Sequence, residues 1–406
     1  MQLTQDQIKA QTELLSFLNS SDKAFVLKGY AGTGKTTLIK HVLQTYEDQR
    51  ELNKIIDPNS SRKYWVFTAT THKAAEALAE SVQSEVRTIH SLLGLAVRND
   101  YTTGKSFLYK KKDAAPVQDA IIVIDESSYI DDHLLHHIMT CTPDSKIIFM
   151  GDPNQLTPVK ADTTPVFDQN FIEATLSQVV RQDANNTIQH VCAGFRKTIE
   201  ESVGFPKITL CNEIQHVDKD TFEQMIKDEF SRPDWKQGDS KVLAWTNKTV
   251  QRLNKLLFKH CNNRSGFKVG DYVINNSHVG ELKTDGEYQL EYVGKAESVG
   301  FKGSIIGILG REYFMPNSFD AHSKAKKQAL KSNDVASMEI IMEDWVDLRP
   351  AYACTVNKSQ GSTYQKVFID LGDLAKCQDA IQLARLLYVA ISRAKYQVIF
   401  TGDLKK

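Results

Sequence analysis

One glycine-rich segment constrains the fold of this chain most: residues 29–36, with the sequence Gly-Tyr-Ala-Gly-Thr-Gly-Lys-Thr. It lies between an apolar run at residues 24–28 and a stretch with helical spacing at residues 35–46. In that context, the G-x-x-x-x-G-K-T spacing predicts a loop whose backbone N–H groups surround phosphates at a helix N-terminus. The alternative, an ordinary glycine-rich turn, is disfavoured by the flanking strand and helix. The segment therefore predicts an α/β domain with a nucleotide site.

The rest of the first half alternates apolar runs with helical stretches. Strands are predicted at residues 24–28, 64–70, 120–125 and 145–151, and helices at residues 35–46 and 72–82. Each strand candidate is rich in Val, Ile or Phe and ends in polar or glycine-containing turn residues. This β-α-β alternation predicts a parallel sheet covered by helices.

A second α/β series follows, with predicted strands at residues 241–247, 351–356, 366–371 and 396–402 and helices at residues 249–260 and 379–394. Two insertions interrupt the α/β pattern. Residues 95–116 resemble a hairpin with its tip at 99–105, and residues 264–350 contain short strands at 270–274, 286–290, 303–309 and 339–346. Such closely spaced strands predict a small antiparallel barrel. Within it, residues 321–330, with Lys324, Lys326 and Lys327, predict a solvated helix, the alternative being a patch that touches DNA.

These features predict a division into four parts. Residues 1–94 and 117–176 form the first α/β domain, and residues 95–116 are its hairpin insertion. Residues 177–263 and 351–406 form the second α/β domain, and residues 264–350 are its barrel-like insertion. A chain of 406 residues is long enough for two to four domains.

Composition narrows the class of protein. Hydrophobic residues make up 41% and charged residues 25%, as in soluble globular proteins. The polar N-terminus and the lack of a long apolar run predict a cytoplasmic protein without membrane contact, in the host cytoplasm if the chain is phage-encoded. The six cysteines are scattered singly and form no zinc or redox motif. Fifty basic and fifty acidic residues leave no net charge, so nucleic-acid binding would need a local groove.

Two acids end the apolar run at residues 120–125. At that edge of a parallel sheet, Asp125 can hold Mg²⁺ through water and Glu126 can orient and activate an attacking water. Gln155 follows the next strand and can bond the γ phosphate. Carboxylates that merely cap a strand, and a turn formed by residues 151–153, are the alternatives. Downstream of a phosphate-binding loop, the pattern favours ATP chemistry, with Lys35 on the β and γ phosphates and Thr36 on Mg²⁺.

The same segments resemble the Dda and RecD branch of superfamily 1B helicases, and the phage Dda-like helicases in particular. Residues 3–7 resemble the adenine-reading Gln motif, residues 69–75 motif Ia, residues 88–94 motif Ib and residues 151–159 motif III. Residues 176–182, 355–362 and 387–394 are similar to motifs IV, V and VI. The resemblance spans nearly the whole chain. It implies two RecA-like P-loop parallel-sheet domains, a small pin hairpin and a small Src-homology-3-like β-barrel insertion.

The resemblance also implies roles in ATP hydrolysis. Gln7 reads the adenine, and Arg181 and Arg393 approach the γ phosphate from the second domain. The catalytic set is then Lys35, Asp125, Glu126, Gln155, Arg181 and Arg393, with Thr36 and Asp125 as the Mg²⁺ ligands. The ATP-binding set is Gln7, Gly29, Ala31, Gly32, Thr33, Gly34, Lys35, Thr36, Thr37, Gln155, Arg181, Gly361 and Arg393.

Motifs Ia, Ib and V imply the DNA contacts, which are Thr71, His72, Lys73, Thr88, His90, Ser359 and Gln360, together with Thr246 and Asn247. Helix capping or turn formation is about as common a role for any one of them. Phe107 in the hairpin is the candidate wedge, because stacking one base returns ~1–3 kcal/mol against roughly 1.4 kcal/mol per opened base-pair step. The alternative is that an aromatic residue simply anchors the hairpin.

The expected function is that of an ATP-dependent DNA helicase moving 5′ to 3′ on single-stranded DNA, with ATP and Mg²⁺ as cofactors. Its expected partners are single-stranded and forked duplex DNA, with a single-strand-binding protein or replication and recombination proteins as further candidates, and we expect a monomer. The nearest alternative is a single-stranded DNA translocase that mainly displaces bound proteins. A P-loop kinase or metabolic ATPase would leave motifs V and VI unexplained. A catalytically dead scaffold is disfavoured by the intact Lys35, Asp125, Glu126 and Arg393.

Overall fold

The computed structural model describes residues 3–56, 63–157, 164–180, 186–236, 238–264, 266–284 and 286–404. Its first α/β unit, with the hairpin inserted in it, contains helices α1 to α6 and strands β1 to β8. The helices are α1 Gln5–Asn19, α2 Lys35–Ile56, α3 His72–Val82, α4 Ile89–Leu92, α5 Asp132–Cys141 and α6 Pro165–Asp168. The strands are β1 Ala24–Gly29, β2 Tyr64–Ala69, β3 Val86–Thr88, β4 Leu95–Asp100, β5 Lys105–Lys110, β6 Ala120–Asp125, β7 Lys146–Gly151 and β8 Ile172–Leu176.

Six of these strands form one parallel sheet in the order β3-β2-β6-β7-β1-β8. Its central strands are continuous apolar runs because helices cover both faces of the sheet. In β6, Ile121 and Val123 pack with residues of α1, α2 and α3, whereas Ile122 and Ile124 pack with residues of α5 on the other face. This alternation follows from the two-residue period of a strand. It carries Asp125 to the carboxyl edge, next to the loop that follows β1.

The second α/β unit begins with α7 Thr187–Glu201, β9 Ile214–Val217, α8 Lys219–Phe230, β10 Ser240–Ala244 and α9 Asn247–Asn262. An insertion follows, consisting of β11 Tyr272–Asn275, β12 Glu287–Gln289, β13 Tyr292–Ser298, β14 Phe301–Ile308, β15 Arg311–Pro316, α10 Phe319–Ser332, α11 Val335–Glu343 and β16 Leu348–Arg349. The unit ends with β17 Ala353–Thr355, α12 Val356–Ser359, β18 Tyr364–Asp370, α13 Leu371–Leu374, α14 Ala380–Ser392 and β19 Ala394–Thr401.

Its sheet is parallel, with five strands in the order β17-β10-β18-β19-β9. Helix α14 packs against α7 in the core beside this sheet, and its residues 386–391 are fully buried. The end of α14 therefore has a fixed position relative to the sheet. That end carries Ser392 and Arg393, which lie at the boundary with the first unit.

Both insertions contain antiparallel strands. Strands β4 and β5 form a hairpin, in which Phe107 pairs with Arg98 and its side chain is 49% exposed. The larger insertion holds two three-stranded sheets, in the orders β12-β11-β16 and β13-β14-β15. The predicted helix at residues 321–330 is part of α10. The predicted fold class, two RecA-like parallel-sheet domains with small antiparallel insertions, is confirmed.

One predicted strand was wrong. Residues 339–346 do not form a strand, because residues 339–343 belong to helix α11. Met338, Ile341 and Met342 recur at helical spacing and are buried against the alanines of α10. Asp334 caps this helix by accepting a hydrogen bond from Ser337 N at 3.0 Å. The apolar run was too short to distinguish the two periods from sequence alone.

Among the described residues, no helix combines the length and the apolar composition needed to cross a bilayer.

Candidate functional site

The glycine-rich loop lies between β1 and the N-terminus of α2, as its sequence context requires. Gly34 has a φ of 81°, a left-handed conformation that side chains rarely adopt. A Cβ atom on Gly29 would lie 2.7 Å from Thr33 Oγ1, so that position has no room for a side chain. Lys35 Nζ donates to the carbonyl oxygens of Gly29 at 2.6 Å and Tyr30 at 3.2 Å. The loop is thus closed around its own lysine, at the helix terminus that favours phosphate.

Gln7 connects the first helix to this loop. Thr4 and Gln7 form a capping box at the start of α1, in which Gln7 N donates to Thr4 Oγ1 at 3.3 Å. The Gln7 side chain accepts from Thr4 N at 3.0 Å and donates through Nε2 to Thr33 O at 3.0 Å. Gln7 is 4% exposed and lines the cavity above the loop. Its amide is therefore held in place beside the nucleotide loop.

The two acids at the end of β6 face the same cavity. Glu126 has a φ of 52°, and its backbone N donates to Asp125 Oδ1 at 2.8 Å. Burial raises the pKa of Asp125, with Lys35 opposing the shift. Burial, and then the charge of Asp125, raise the pKa of Glu126 to about 7. Arg393 and Lys35 act in the opposite direction on Glu126. A carboxyl with such a pKa suits proton transfer near neutral pH.

Arg393 reaches this cavity from the second α/β unit. It is 5% exposed, and its guanidinium donates to Ser392 Oγ at 3.0 Å and to Ser362 O at 3.4 Å. A cavity of about 350 Å³ is lined by Arg393 together with Lys35, Asp125 and Glu126. A buried cation therefore lies opposite the loop and its acids. Arg181 lies outside the described residues, but its neighbour Val180 lines the cavity and donates from N to Gly32 O at 2.9 Å.

Most of the predicted ATP-binding residues line this one cavity. Those present are Gln7, Ala31, Gly32, Gly34, Lys35, Thr36, Thr37, Gln155, Gly361 and Arg393. Gly29 and Thr33 do not line the cavity, but they make contacts within the glycine-rich loop. The sequence analysis missed Ala77, Leu78 and Ser81 of α3, and also Thr363 and Ser392. The spacing of the α3 residues along one helical face was the available signal, but ordinary core packing has the same spacing.

The predicted Mg²⁺ ligands fit that ion by chemistry. Thr36 offers a hydroxyl and Asp125 a carboxylate, and both line the cavity beside the loop. Mg²⁺ prefers oxygen ligands and usually takes only one or two from the protein, with water and phosphate oxygens completing the shell. A buried carboxylate whose pKa is raised by desolvation also gains from a nearby divalent cation. The donor set therefore agrees with a nucleotide-bound Mg²⁺.

The segment after β7 joins the two units through side chains. Gln360 Nε2 donates to Gln155 Oε1 at 3.0 Å, and both residues are buried. Tyr388 OH donates to Asp152 Oδ2 at 2.5 Å. Arg385 Nη1 donates to the carbonyl oxygens of Pro153 at 2.6 Å and Gln155 at 2.7 Å. Side-chain hydrogen bonds therefore connect the two α/β units beside the cavity.

Asp152, Tyr388 and Arg385 were not predicted from the sequence as residues of this boundary. Each stands within or beside a recognised motif, but a pairing over more than 200 residues has no local pattern. Leu156 also crosses the boundary, since it is fully buried in the core of the second unit.

Several predicted DNA contacts act as helix caps. Thr71, Thr88 and Thr246 are the N-cap residues of α3, α4 and α9, and each side chain accepts a backbone hydrogen bond within its own helix. Thr246 also donates to Asp373 Oδ1 at 2.8 Å. Asn247 is exposed at the start of α9 and accepts from Arg349 Nη1 at 2.9 Å. DNA contact by these residues stays a prediction.

One predicted contact, Lys73, lies in a cleft between the two units. Lys73 lines a narrow cleft together with Lys358, Thr355 and Asn276. Lys358, which the sequence analysis missed, donates through Nζ to Asn276 O at 3.1 Å. This cleft brings basic groups of motifs Ia and V together, although the chain has no net charge.

The remaining motif residues that are predicted to contact DNA are buried or partly buried. Ser359 is fully buried and donates to Val356 O at 2.7 Å, and Gln360 is 4% exposed. Burial lowers the pKa of His72, with Lys283 and His278 adding to the shift, and burial likewise lowers the pKa of His90. Both histidines are therefore mainly neutral near pH 7. Phosphate contact by a neutral imidazole would use its N–H group rather than a charge.

The hairpin formed by β4 and β5 is tied to the larger insertion at its tip. Asn99 Nδ2 and Tyr101 OH each donate to Glu343 Oε1 at 2.8 Å. The hydrogen bond to Glu343 raises the pKa of Tyr101 to about 12. Phe107 is 49% exposed, whereas Leu108 of the same strand packs against the core of the first α/β unit that contains Ile122 and Ile124. The half-exposed Phe107 thus lies on a hairpin that contacts the first α/β unit through Leu108 and the larger insertion through Glu343.

Fold and site together define a P-loop ATPase whose cavity is completed by residues of two RecA-like domains. The AAA domain family matches residues 2–205, and the UvrD-like helicase C-terminal domain matches residues 350–401. The chain belongs to the AAA domain family and is a superfamily 1B helicase of the Dda and RecD branch, an ATP-hydrolysing enzyme of the DNA helicase class. The predicted family is confirmed.

Similar proteins support this placement. The chain is 24% identical over 327 residues to the ATP-dependent DNA helicase Dda of Enterobacteria phage T4, a match that covers 77% of this chain and 68% of that protein. It is 25% identical to the ATP-dependent RecD2 DNA helicase of Deinococcus radiodurans, covering 93% of this chain and 47% of that protein. Its fold is similar to that of a Pif1 helicase in a structure of DNA unwinding at forked DNA. The TM-score is 0.51 with 16% identity, and the match covers 98% of this chain and 92% of the other.

Proposed function

We propose that the protein moves along single-stranded DNA in the 5′ to 3′ direction and couples each ATP hydrolysis to strand separation. The observation that carries the proposal is the shared cavity. Lys35, Asp125 and Glu126 of the first domain line it together with Arg393 of the second. A site divided in this way is complete only when the two domains are together, so hydrolysis and domain closure depend on each other.

The side chains account for the chemistry. Lys35 neutralises charge on the β and γ phosphates, and Glu126 orients the attacking water and takes its proton. Arg393 offsets the negative charge that spreads over the γ phosphate as its bond to the leaving group breaks. Thr36 and Asp125 would hold Mg²⁺, which would supply further positive charge to stabilise the transferred phosphoryl group. Burial of these groups increases each electrostatic effect, because water no longer screens it.

Movement follows if ATP binds the closed arrangement better than the open one. The bond between Gln155 and Gln360 joins the wall of the ATP cavity to motif V at 3.0 Å. Motif V also lines the basic cleft with Lys73 of the first domain and Lys358 of its own. A change at the γ phosphate could thus alter the grip on DNA through two side-chain amides. Backbone contacts of this kind carry no sequence information.

Strand separation is assigned to the hairpin formed by β4 and β5, with Phe107 as the wedge. The proposed partners are single-stranded and forked duplex DNA. The direction of movement rests on the resemblance to the Dda and RecD branch alone. The division into residues 1–94 and 117–176, 95–116, 177–263 and 351–406, and 264–350 is part of the same proposal.

The test is steady-state ATPase activity with and without single-stranded DNA, for the unaltered protein and for Lys35→Ala. We expect strong stimulation by DNA, and a loss of roughly a hundredfold or more in the variant. Lys40→Ala, which removes an exposed lysine of the same helix, is the control and should behave like the unaltered protein. ATP turnover that is indifferent to DNA would contradict the proposal. Duplexes with a single 5′ or 3′ tail then test direction, since only the 5′ tail should support unwinding.

A further inference from the structure

Helix α10 carries a row of exposed lysines on one face. Lys324, Lys327 and Lys331 lie at helical positions i, i+3 and i+7, and together with Gln328 and Ser332 they line one shallow hollow on the surface. The opposite face of α10 is its anchor, because Ala321, Ala325 and Ala329 are buried against α11 and Trp345. We call Lys324, Lys327 and Lys331 the lysine row. Packing of the opposite face of α10 therefore fixes the orientation of the lysine row toward solvent.

Within the part of the chain that the structure describes, no carboxylate neutralises the lysine row. None of its three ammonium groups makes an ion pair with any residue in the described ranges. Asp320 is the one carboxylate of α10, and Asp334 beyond its end is engaged in capping α11. Like charges three or four residues apart repel one another and destabilise a helix. An anionic partner would remove that repulsion.

The lysine row adjoins the tip of the hairpin. A Cβ atom placed on Gly104 would lie 3.3 Å from Met338 Cε and 3.8 Å from Leu330 Cδ1. Leu330 belongs to the last turn of α10, next to Lys331. The hairpin tip is held there by Tyr101, which packs against the α10 and α11 core and bonds Glu343. The row therefore begins at the hairpin tip and extends away from it along α10.

We propose that the lysine row binds the phosphate backbone of the duplex ahead of the point where the hairpin separates the strands. The proposal rests on the proposed function, which puts the duplex junction at the hairpin. From Lys324 to Lys331 the helix rises by about 10 Å, at 1.5 Å per residue. That length matches about three base-pair steps of duplex, at 3.4 Å per step. The three ammonium groups thus span a run of about four phosphates of one strand.

The chemistry of the row favours a duplex over other anionic partners. Sites for single strands combine cations with aromatic rings on which bases stack. Residues 324–332 contain no aromatic residue, so this face can hold a backbone but not unpaired bases. Protein interfaces are depleted in lysine and enriched in aromatic residues and arginine, and the row has the opposite composition. Contacts from lysine to phosphate hold the duplex without reading its sequence.

The test compares the unaltered protein with a triple variant, Lys324→Gln, Lys327→Gln and Lys331→Gln. Glutamine has a helix propensity similar to that of lysine, so α10 should be retained, as the thermal midpoint would verify. The matched control is Lys9→Gln, Lys197→Gln and Lys219→Gln, which removes the same charge from exposed positions of α1, α7 and α8. Binding without ATP is measured by anisotropy for a duplex with a 5′ single-stranded tail and for the tail alone, over a range of salt concentrations.

We expect the lysine-row variant to lose about tenfold or more in affinity for the tailed duplex, but little for the tail alone. The slope of log affinity against log salt for the tailed duplex should fall by up to about 2.7, at about 0.9 per lost phosphate contact. ATPase stimulation by single-stranded DNA should be unchanged. An equal loss in the matched control would overturn the proposal. An unchanged affinity for the tailed duplex would also overturn it, and would point to an acidic protein partner instead. Failure of the proposed function would be seen in a different measurement, because the ATPase activity of the unaltered protein would then not be stimulated by single-stranded DNA.

Discussion

The ATP cavity and the hairpin tip both lie where the two halves of the molecule meet, yet they are built in opposite ways. Around the cavity, Glu126 is partly buried and Arg393 is buried, and hydrogen bonds cross the domain boundary at several points. At the hairpin, Phe107 is 49% exposed, and two hydrogen bonds to Glu343 join the hairpin to the larger insertion. Phosphoryl transfer needs charges held away from water, whereas strand separation needs a surface that a base pair can reach.

This contrast implies that the two regions can be damaged separately. Changes around the cavity should abolish ATP turnover and everything that depends on it. Changes at the hairpin should reduce unwinding and leave ATP turnover intact. The Gln155–Gln360 bond joins the ATP cavity to motif V, which also lines the basic cleft with Lys73. The following predictions test this separation, beginning with the largest expected effect.

Arg393→Ala tests the cavity from the side of the second domain. We expect kcat for ATP hydrolysis to fall roughly a thousandfold or more, because an arginine that stabilises the transferred phosphoryl group contributes that much. ATP affinity, measured with a fluorescent nucleotide, should change far less. Arg252→Ala, at an exposed arginine of α9, is the control. A variant that hydrolyses ATP within a few-fold of normal would end the assignment of Arg393 to the cavity chemistry.

Glu126→Gln tests the cavity from the side of the first domain. The substitution keeps the shape of the side chain but removes its ability to take a proton, so kcat should fall roughly hundredfold or more. ATP binding should remain, and thermal stability should not decrease, since a buried carboxylate next to Asp125 is replaced by a neutral group. Glu85→Gln, at an exposed glutamate, serves for comparison. If ATP binding were lost as well, the effect would report on loop structure and not on catalysis.

Phe107→Ala tests the hairpin and has the smallest expected effect. Loss of one stacking contact of about 1 kcal/mol should slow unwinding of a forked duplex about fivefold. ATPase activity with single-stranded DNA should be unchanged. Val97→Ala, on the opposite face of the hairpin, is the matched control. Equal losses of unwinding and ATPase activity would break the contrast between the two regions and reject Phe107 as a wedge.

Local patterns predicted much of the cavity. The loop around Lys35, the acids after β6 and the capping Gln7 each depend on a few neighbouring residues, so a short spacing identifies them. The helical face of α3, which closes the cavity with Ala77, Leu78 and Ser81, is indistinguishable in sequence from core packing. The strand predicted at residues 339–346 was wrong for a similar reason. In that segment, the apolar positions fit both a helix and a short strand, and packing against α10 stabilises the helix.

By itself, the sequence determined the phosphate-binding loop, the order of the motifs and the alternation that produces two parallel sheets. These features depend on residues close together in the chain, where period and spacing are direct consequences of backbone geometry. Only the tertiary structure decided that Tyr388 bonds Asp152, that Gln360 meets Gln155, and that the lysine row adjoins the hairpin tip. Those contacts join segments far apart in sequence, and the packing of whole domains, which leaves no periodic signal, sets their distances.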